Sequence, residues 1–222
     1  MPLPRLPKPP ITTFYFKIII IILKTRTSLL FLGWPIGGNL TNIHVTFSAG
    51  DTGAWRIDNI TPVTGSSLAG AQYLNIHEGR APHLPDGSGW TLRGVTSNMR
   101  YTQRSEMDIL SVNQQPLHRP MATRAALIPI RKTESWWALP QDERRSIFEE
   151  QSRHITIGLD YLPGVARRLH HCRELGEPFD FLTWFEYAPE HSDHFEEMVD
   201  RLRHTPEWKF VDREVDIRLS LL

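Results

Sequence analysis

The chain has a single cysteine in 222 residues, Cys172. One thiol excludes an intramolecular disulfide and every multi-cysteine zinc site. Net charge of either sign is also missing, because 25 basic and 25 acidic residues cancel. The balance is uneven: residues 1–50 hold five cations and no acid, which leaves a formal charge of −5 on the remaining 172. An acidic body argues against a nucleic-acid surface, which needs clustered positive charge. No phosphate-cradling glycine loop and no Gly-x-Ser-x-Gly elbow occurs, so nucleotide binding and serine hydrolysis have no support.

A long uninterrupted apolar run is absent too. The segment Phe14-Tyr-Phe-Lys-Ile-Ile-Ile-Ile-Ile-Leu-Lys24 is cut by Lys17, Lys24 and Arg26 into pieces shorter than the roughly 20 residues a spanning helix needs. Association with a membrane is therefore not expected. Residues 1–43 also lack an Ala-x-Ala cleavage site. Three readings fit this extension: a start assigned too far upstream, a poor export signal or anchor, or an added segment of little order. A cytoplasmic location follows if the first holds.

What the chain does have is large rings, with seven tryptophans and ten phenylalanines, enough for a substantial core. Ile43–Phe47 reads as a strand and Ser48–Gly53 as a loop. Trp55–Val63 fits a short helix or an extended segment equally. His83–Gly89 is a Pro/Gly-rich loop. Trp90–Ser97 alternates as a strand, and Thr102–Val112 has helical spacing. Ala125–Arg131 reads as a strand. Pro140 suits a helix start, with acids following in the first turn, and that helix extends to about Leu159, before Pro163-Gly164. Val165–His171 and Phe179–Tyr187 are strands around a Gly-Glu-Pro turn. Asp193–His204 is an amphipathic helix with Phe195, Met198, Val199 and Leu202 on one face. Val211–Leu219 closes the chain as a strand.

Strand, helix, two strands, helix, strand over the second half is a ferredoxin-like order. Residues 44–130 give a shorter, weaker copy of residues 131–222. The expected class is α+β.

The ten histidines do not sort themselves by chemistry, and a histidine on a helix is most often a surface residue. His170-His-Cys172 alternates faces on a strand, so its neighbours cannot share one ion, and His191/His194 lie on an acidic helix start exposed to solvent.

The segment Tyr161-Leu-Pro-Gly-Val-Ala-Arg-Arg-Leu-His-His-Cys172, with Gly176-Glu-Pro-Phe-Asp-Phe-Leu-Thr-Trp-Phe-Glu-Tyr187, Ser135-Trp-Trp137 and Glu207-Trp208, resembles the chlorite dismutase family of haem b proteins. The likeness runs from about Phe47 to Leu219 and is strongest to the short, dimeric branch. It implies two ferredoxin-like halves joined in an α/β-barrel, with the first half shortened, and a homodimer.

The resemblance also implies roles. His154, thirteen positions before Arg167, becomes the proximal ligand of haem b iron. Glu207 accepts the other imidazole N–H, where the bland reading would be an acid in a solvated turn. Arg167 attracts chlorite and detains the hypochlorite first released; a one-residue slip would give that place to Arg168. One ring of the Trp136/Trp137 pair lies against the porphyrin, or the pair simply fills core; Lys132 pairs with a haem propionate, and Tyr101 supports the distal arginine. Phe179, Phe181, Trp184 and Phe185 pack the apolar wall or the core between the halves. The implied activity is conversion of chlorite to chloride and dioxygen. Two alternatives stand beside it. One is a coproheme decarboxylase of the same superfamily, whose members lack the distal arginine and the proximal glutamate. The other is a haem-binding or sensing protein with weak peroxidase activity.

Overall fold

The computed structural model describes residues 43–79, 89–97 and 100–222. The extension read over residues 1–43 therefore lies, Ile43 apart, outside the described residues, as does most of the His83–Gly89 loop. Eight antiparallel strands close into a barrel, in the order β1 (His44–Gly50), β3 (Tyr73–Glu78), β2 (Trp55–Thr64), β8 (Val211–Leu221), β5 (Arg124–Lys132), β7 (Phe181–Tyr187), β6 (Val165–His171) and β4 (Trp90–Thr96), which pairs back onto β1.

This order repeats. Counting strands from one within each half, β4-β1-β3-β2 and β8-β5-β7-β6 are both 4-1-3-2. The halves differ in their helices. Between β5 and β6 the chain makes α2 (Glu134–Ala138), α3 (Gln141–Arg145), a π-helical segment over Ser146–Gln151, and α4 (His154–Asp160); α5 (Ser192–Arg203) links β7 to β8. Among the described residues the first half has only α1 (Arg104–Asn113), after β4.

Strand alternation sorts the side chains into two layers. Val45, Phe47, Ala49, Leu74, Leu127, Leu182, Trp184, Val215, Ile217 and Leu219 fill the barrel. On the outer surface of the second half, Ile128, Ile130, Val165 and Phe185 meet Phe195, Met198, Val199 and Leu202 of α5. The α5 residues are the four expected from its periodicity. β5 is buried on both faces, which is why Ala125-Ala-Leu-Ile-Pro-Ile130 is a continuous apolar run instead of an alternating one. Burying about eight large side chains in that outer layer contributes roughly 1.5–3 kcal/mol each before ordering costs.

One expectation changes, one open alternative is decided and one strand is new. β1 runs on through the supposed loop to Gly50, because Ser48, Ala49 and Gly50 pair with β3. Trp55–Thr64 is a strand, since its backbone pairs with β8 along most of its length. The strand β3 was not anticipated: Tyr73-Leu-Asn-Ile-His-Glu78 is short and polar at alternate positions, and only Leu74 is fully buried.

Candidate active site

The long helix expected from Pro140 to about Leu159 is broken. Pro140 precedes α3 as expected, but the chain then widens into the π-helical segment. Arg153 takes a left-handed conformation, with φ of 52°. A non-glycine residue held there is uncommon and costs energy that its surroundings must supply. The cap on the restarted helix comes from Glu149. Its carboxylate accepts the backbone N–H groups of Ile155 at 2.7 Å and Thr156 at 3.3 Å, and the Thr156 hydroxyl at 2.6 Å. These bonds satisfy orphan donors of the first turn and fix the position of His154, its first residue.

His154 Nδ1 lies 2.7 Å from Glu207 Oε2, and Lys132 Nζ lies 2.7 Å from Glu207 Oε1. The Glu207 N–H donates to Ser152 Oγ at 2.9 Å. Glu207 and Lys132 are both 4% exposed, so the solvated-turn reading of Glu207 does not apply. Burial by itself would raise this carboxyl's pKa. Attraction to Lys132 and His154, with the hydrogen bonds from both, outweighs it and holds the group down at about 2. The His154 ring runs near-parallel to Phe148, centroids 4.6 Å apart, and to Trp208 at 6.2 Å. Because Nδ1 faces the carboxylate, Nε2 is the nitrogen available to a ligand.

A cavity of about 550 Å³ opens between the outer face of β5, β6 and β7 and the helices opposite. All seven residues singled out from the sequence line it: Arg167, His154, Glu207, Lys132, Trp136, Trp137 and Tyr101. Arg167 stands on the sheet wall, its strand position paired with Phe185. Its guanidinium has no hydrogen bond or ion pair among the described residues, and burial pulls its pKa below the ordinary arginine value. Gln114 Nε2 donates to the Arg167 carbonyl at 3.0 Å. Arg168 takes the other face and pairs with Glu78, so the slip does not occur.

One assigned role needs correction. Lys132 does not reach outward to a propionate, because its ammonium is buried against Glu207 and lies 4.8 Å from the Trp136 ring centroid. It belongs to the same network as His154. Tyr101 is hydrogen-bonded to His171 Nδ1 at 2.8 Å, four residues along β6 from Arg167. Trp137 Nε1 donates to Asp180 Oδ2 at 3.1 Å, and Asp180 also accepts the Lys132 backbone N–H at 2.7 Å. Trp136 is buried, 6% exposed, with its ring 5.4 Å from that of Phe210. Phe181 and Phe185 line the cavity, while Phe179 and Trp184 fill the barrel.

Residues the sequence reading passed over include Glu149, Phe148, Asp180 and Arg144. Asp180 had a visible signal, a lone acid between Phe179 and Phe181. The role of Glu149 had none, because it depends on a break inside an apparently regular helix. Among the described residues no cluster of three or more His, Cys, Asp or Glu side chains is placed to hold a metal ion. His170 is bonded to the Leu182 carbonyl, and the Cys172 thiol donates to that of Phe179. No helix of the described residues is long and apolar enough to cross a membrane.

Known proteins resemble this chain in sequence and fold. The family described as chlorite dismutase matches residues 87–221. The crystal structure of a dimeric chlorite dismutase from Nitrobacter winogradskyi is 56% identical, superposes with a TM-score of 0.73, and covers 79% of this chain and 99% of its own. A chlorite dismutase of Ideonella dechloratans is 31% identical over 98 residues, 43% of this chain and 33% of that protein; the match thus spans about a third of the curated relative. A mutant chlorite dismutase from Candidatus Nitrospira defluvii, at 21% identity and a TM-score of 0.57 over 81% of this chain and 91% of its own, shares the fold. With the family match covering more than half of its length, the chain belongs to the chlorite dismutase family.

Proposed function

We propose that this protein is a haem b-dependent chlorite O2-lyase that converts chlorite to chloride and dioxygen. One observation carries the reading: a single cavity holds both an imidazole fixed by a buried carboxylate and a guanidinium with no acid of its own among the described residues. The residues fit an iron tetrapyrrole. His154 Nε2 would hold the iron, and the walls are largely aromatic and aliphatic. The volume of about 550 Å³ falls within the range of about 300–1,000 Å³ usual for ligand sites.

Haem, when bound, supplies the redox and Lewis-acid chemistry that takes oxygen from chlorite and releases it as dioxygen. The chain's own groups do the rest. Glu207 keeps the His154 proton on Nδ1 and makes the imidazole a stronger donor. Lys132 keeps Glu207 ionised. Arg167 stays charged at any working pH and draws a small anion towards a body whose residues 51–222 carry a formal charge of −5. It then holds the hypochlorite fragment in place until the O–O bond forms, which is a gain from proximity.

By the same reasoning the repeated 4-1-3-2 strand order supports two ferredoxin-like halves, residues 44–130 and 131–222, with the haem site carried by the second and residues 1–43 as an extension. The dimeric Nitrobacter relative supports a homodimer. An oxygen electrode tests the activity: the full chain loaded with haem b should release one O2 per chlorite at mildly acidic pH. Haem binding without O2 release would favour a weak peroxidase or sensor, and failure to bind haem would overturn the ligand assignment.

A further inference from the structure

Five fixed cations line the cavity: Arg100, Lys132, Arg144, Arg145 and Arg167. Three of them have carboxylate partners. Arg100 pairs with Glu174 at 2.8 Å, Lys132 with Glu207 at 2.7 Å, and Arg145 with Glu106. The two without an ion pair among the described residues are Arg167, on the sheet wall, and Arg144, on α3 of the helix wall.

Arg144 is the more conspicuous of these. Its Nε is shut away from solvent with no hydrogen-bond acceptor, and its guanidinium carbon lies 5.6 Å from the Trp137 ring centroid. On the bland reading it is a stacked arginine that merely covers an indole. That reading accounts for the stacking but not for the orphaned donor. A buried donor left unpaired costs about 1–3 kcal/mol, and folded proteins leave few such groups without a reason. The neighbouring acid is already used: Asp180 takes the Trp137 indole N–H and the Arg173 guanidinium.

We infer that Arg144 receives a carboxylate of the bound macrocycle, the task that Lys132 cannot perform while it is buried against Glu207. A carboxylate is acceptor-only and matches a guanidinium fork through charge-assisted bonds. Arg144 and Arg167 thus divide the anionic chemistry of one cavity. The helix-wall cation anchors the cofactor's acid, and the sheet-wall cation stays free for the substrate. This assignment rests on the haem reading above.

Porphyrin binding by the full chain, followed through ligand fluorescence and tryptophan quenching, tests it without turnover. The probes are zinc protoporphyrin IX, with two free carboxylates, and its dimethyl ester. Wild type should prefer the free acid. Arg144→Met should bind the free acid about tenfold or more weakly, the loss expected for a charge-assisted bond, and bind the diester as wild type does; Arg144→Lys should fall between. Unchanged diester affinity also shows that the variant's cavity is intact. Equal losses for both probes would make Arg144 a packing residue only, and no loss for the free acid would place the carboxylate elsewhere; either result overturns the inference while leaving the haem reading in place. If wild type binds neither probe, the haem reading fails and this inference fails with it.

Discussion

Glu207 divides its carboxylate between two groups: Oε2 faces His154 Nδ1 at 2.7 Å, and Oε1 faces Lys132 Nζ at the same distance. The imidazole's electronic character is therefore tied to a buried ion pair, and that pair is tied to pH. The folded pKa of Glu207 is about 2, against an ordinary value of 4.5. A carboxyl whose pKa falls on folding stabilises the protein fully above its unfolded value and loses that contribution as pH drops through the folded one. The contribution is about 3 kcal/mol. Apoprotein stability measured by urea denaturation should be level above about pH 5.5 on this account and fall from about pH 4.5 towards 2, and the fall should be much reduced in Glu207→Gln.

Removing only one partner of the pair strands the other. Lys132→Met leaves a buried carboxylate with half its support and should destabilise the apoprotein by about 3 kcal/mol. The double variant Lys132→Met/Glu207→Gln should recover a large part of that loss, and a double-mutant cycle measures the coupling. In the haem-loaded protein, Glu207→Gln should raise the ferric/ferrous potential, because the neutral amide makes His154 a weaker donor. An unchanged potential would separate Glu207 from the ligand's electronics.

Glu149 gives a prediction of a different kind. It caps α4 through Ile155 and Thr156 and touches His154 through neither. Glu149→Ala should cost about 1 kcal/mol of stability and loosen haem, with a broader spin-state mixture in the electronic spectrum. Glu149→Gln, which keeps acceptor oxygen, should restore part of both. Stability lost with an unaltered haem spectrum would limit Glu149 to capping.

The sequence made much of this legible, for identifiable reasons. α5 announced itself through Phe195, Met198, Val199 and Leu202, a regular helical stripe on a helix with one buried face. Strand alternation puts Arg167 and Arg168 on opposite faces, and the family resemblance, not the pattern, chose Arg167 as the inward one. Composition and periodicity alone gave His154 no special standing among ten histidines; its family spacing to Arg167 did. What stayed hidden depended on long-range geometry. The ion pair between Lys132 and Glu207 joins residues 75 apart, and no local pattern reports it. The π-helical segment and the turn at Arg153 interrupt a stretch whose amino acids suit a helix throughout. β3 was missed because its partner strands, more than its own side chains, hold it in the sheet.

Arg167 carries the heaviest prediction. Arg167→Ala should keep haem, because His154 and Glu207 are untouched, and should lower the rate of O2 release by about 10²–10³-fold, the usual cost of losing a preorganised charge at a reacting group. A chlorination probe in the same assay should detect hypochlorite that wild type retains. O2 release at the wild-type rate would remove Arg167 from the mechanism.

The central claim is that one cavity keeps both oxygen atoms of a chlorite ion together until they join. Oxygen-18-labelled chlorite, turned over by the haem-loaded full chain in unlabelled water, tests it directly by mass spectrometry of the gas. The dioxygen should carry the label on both atoms. Dioxygen with one atom from water, or no gas at all from a fully haem-loaded protein, would contradict it.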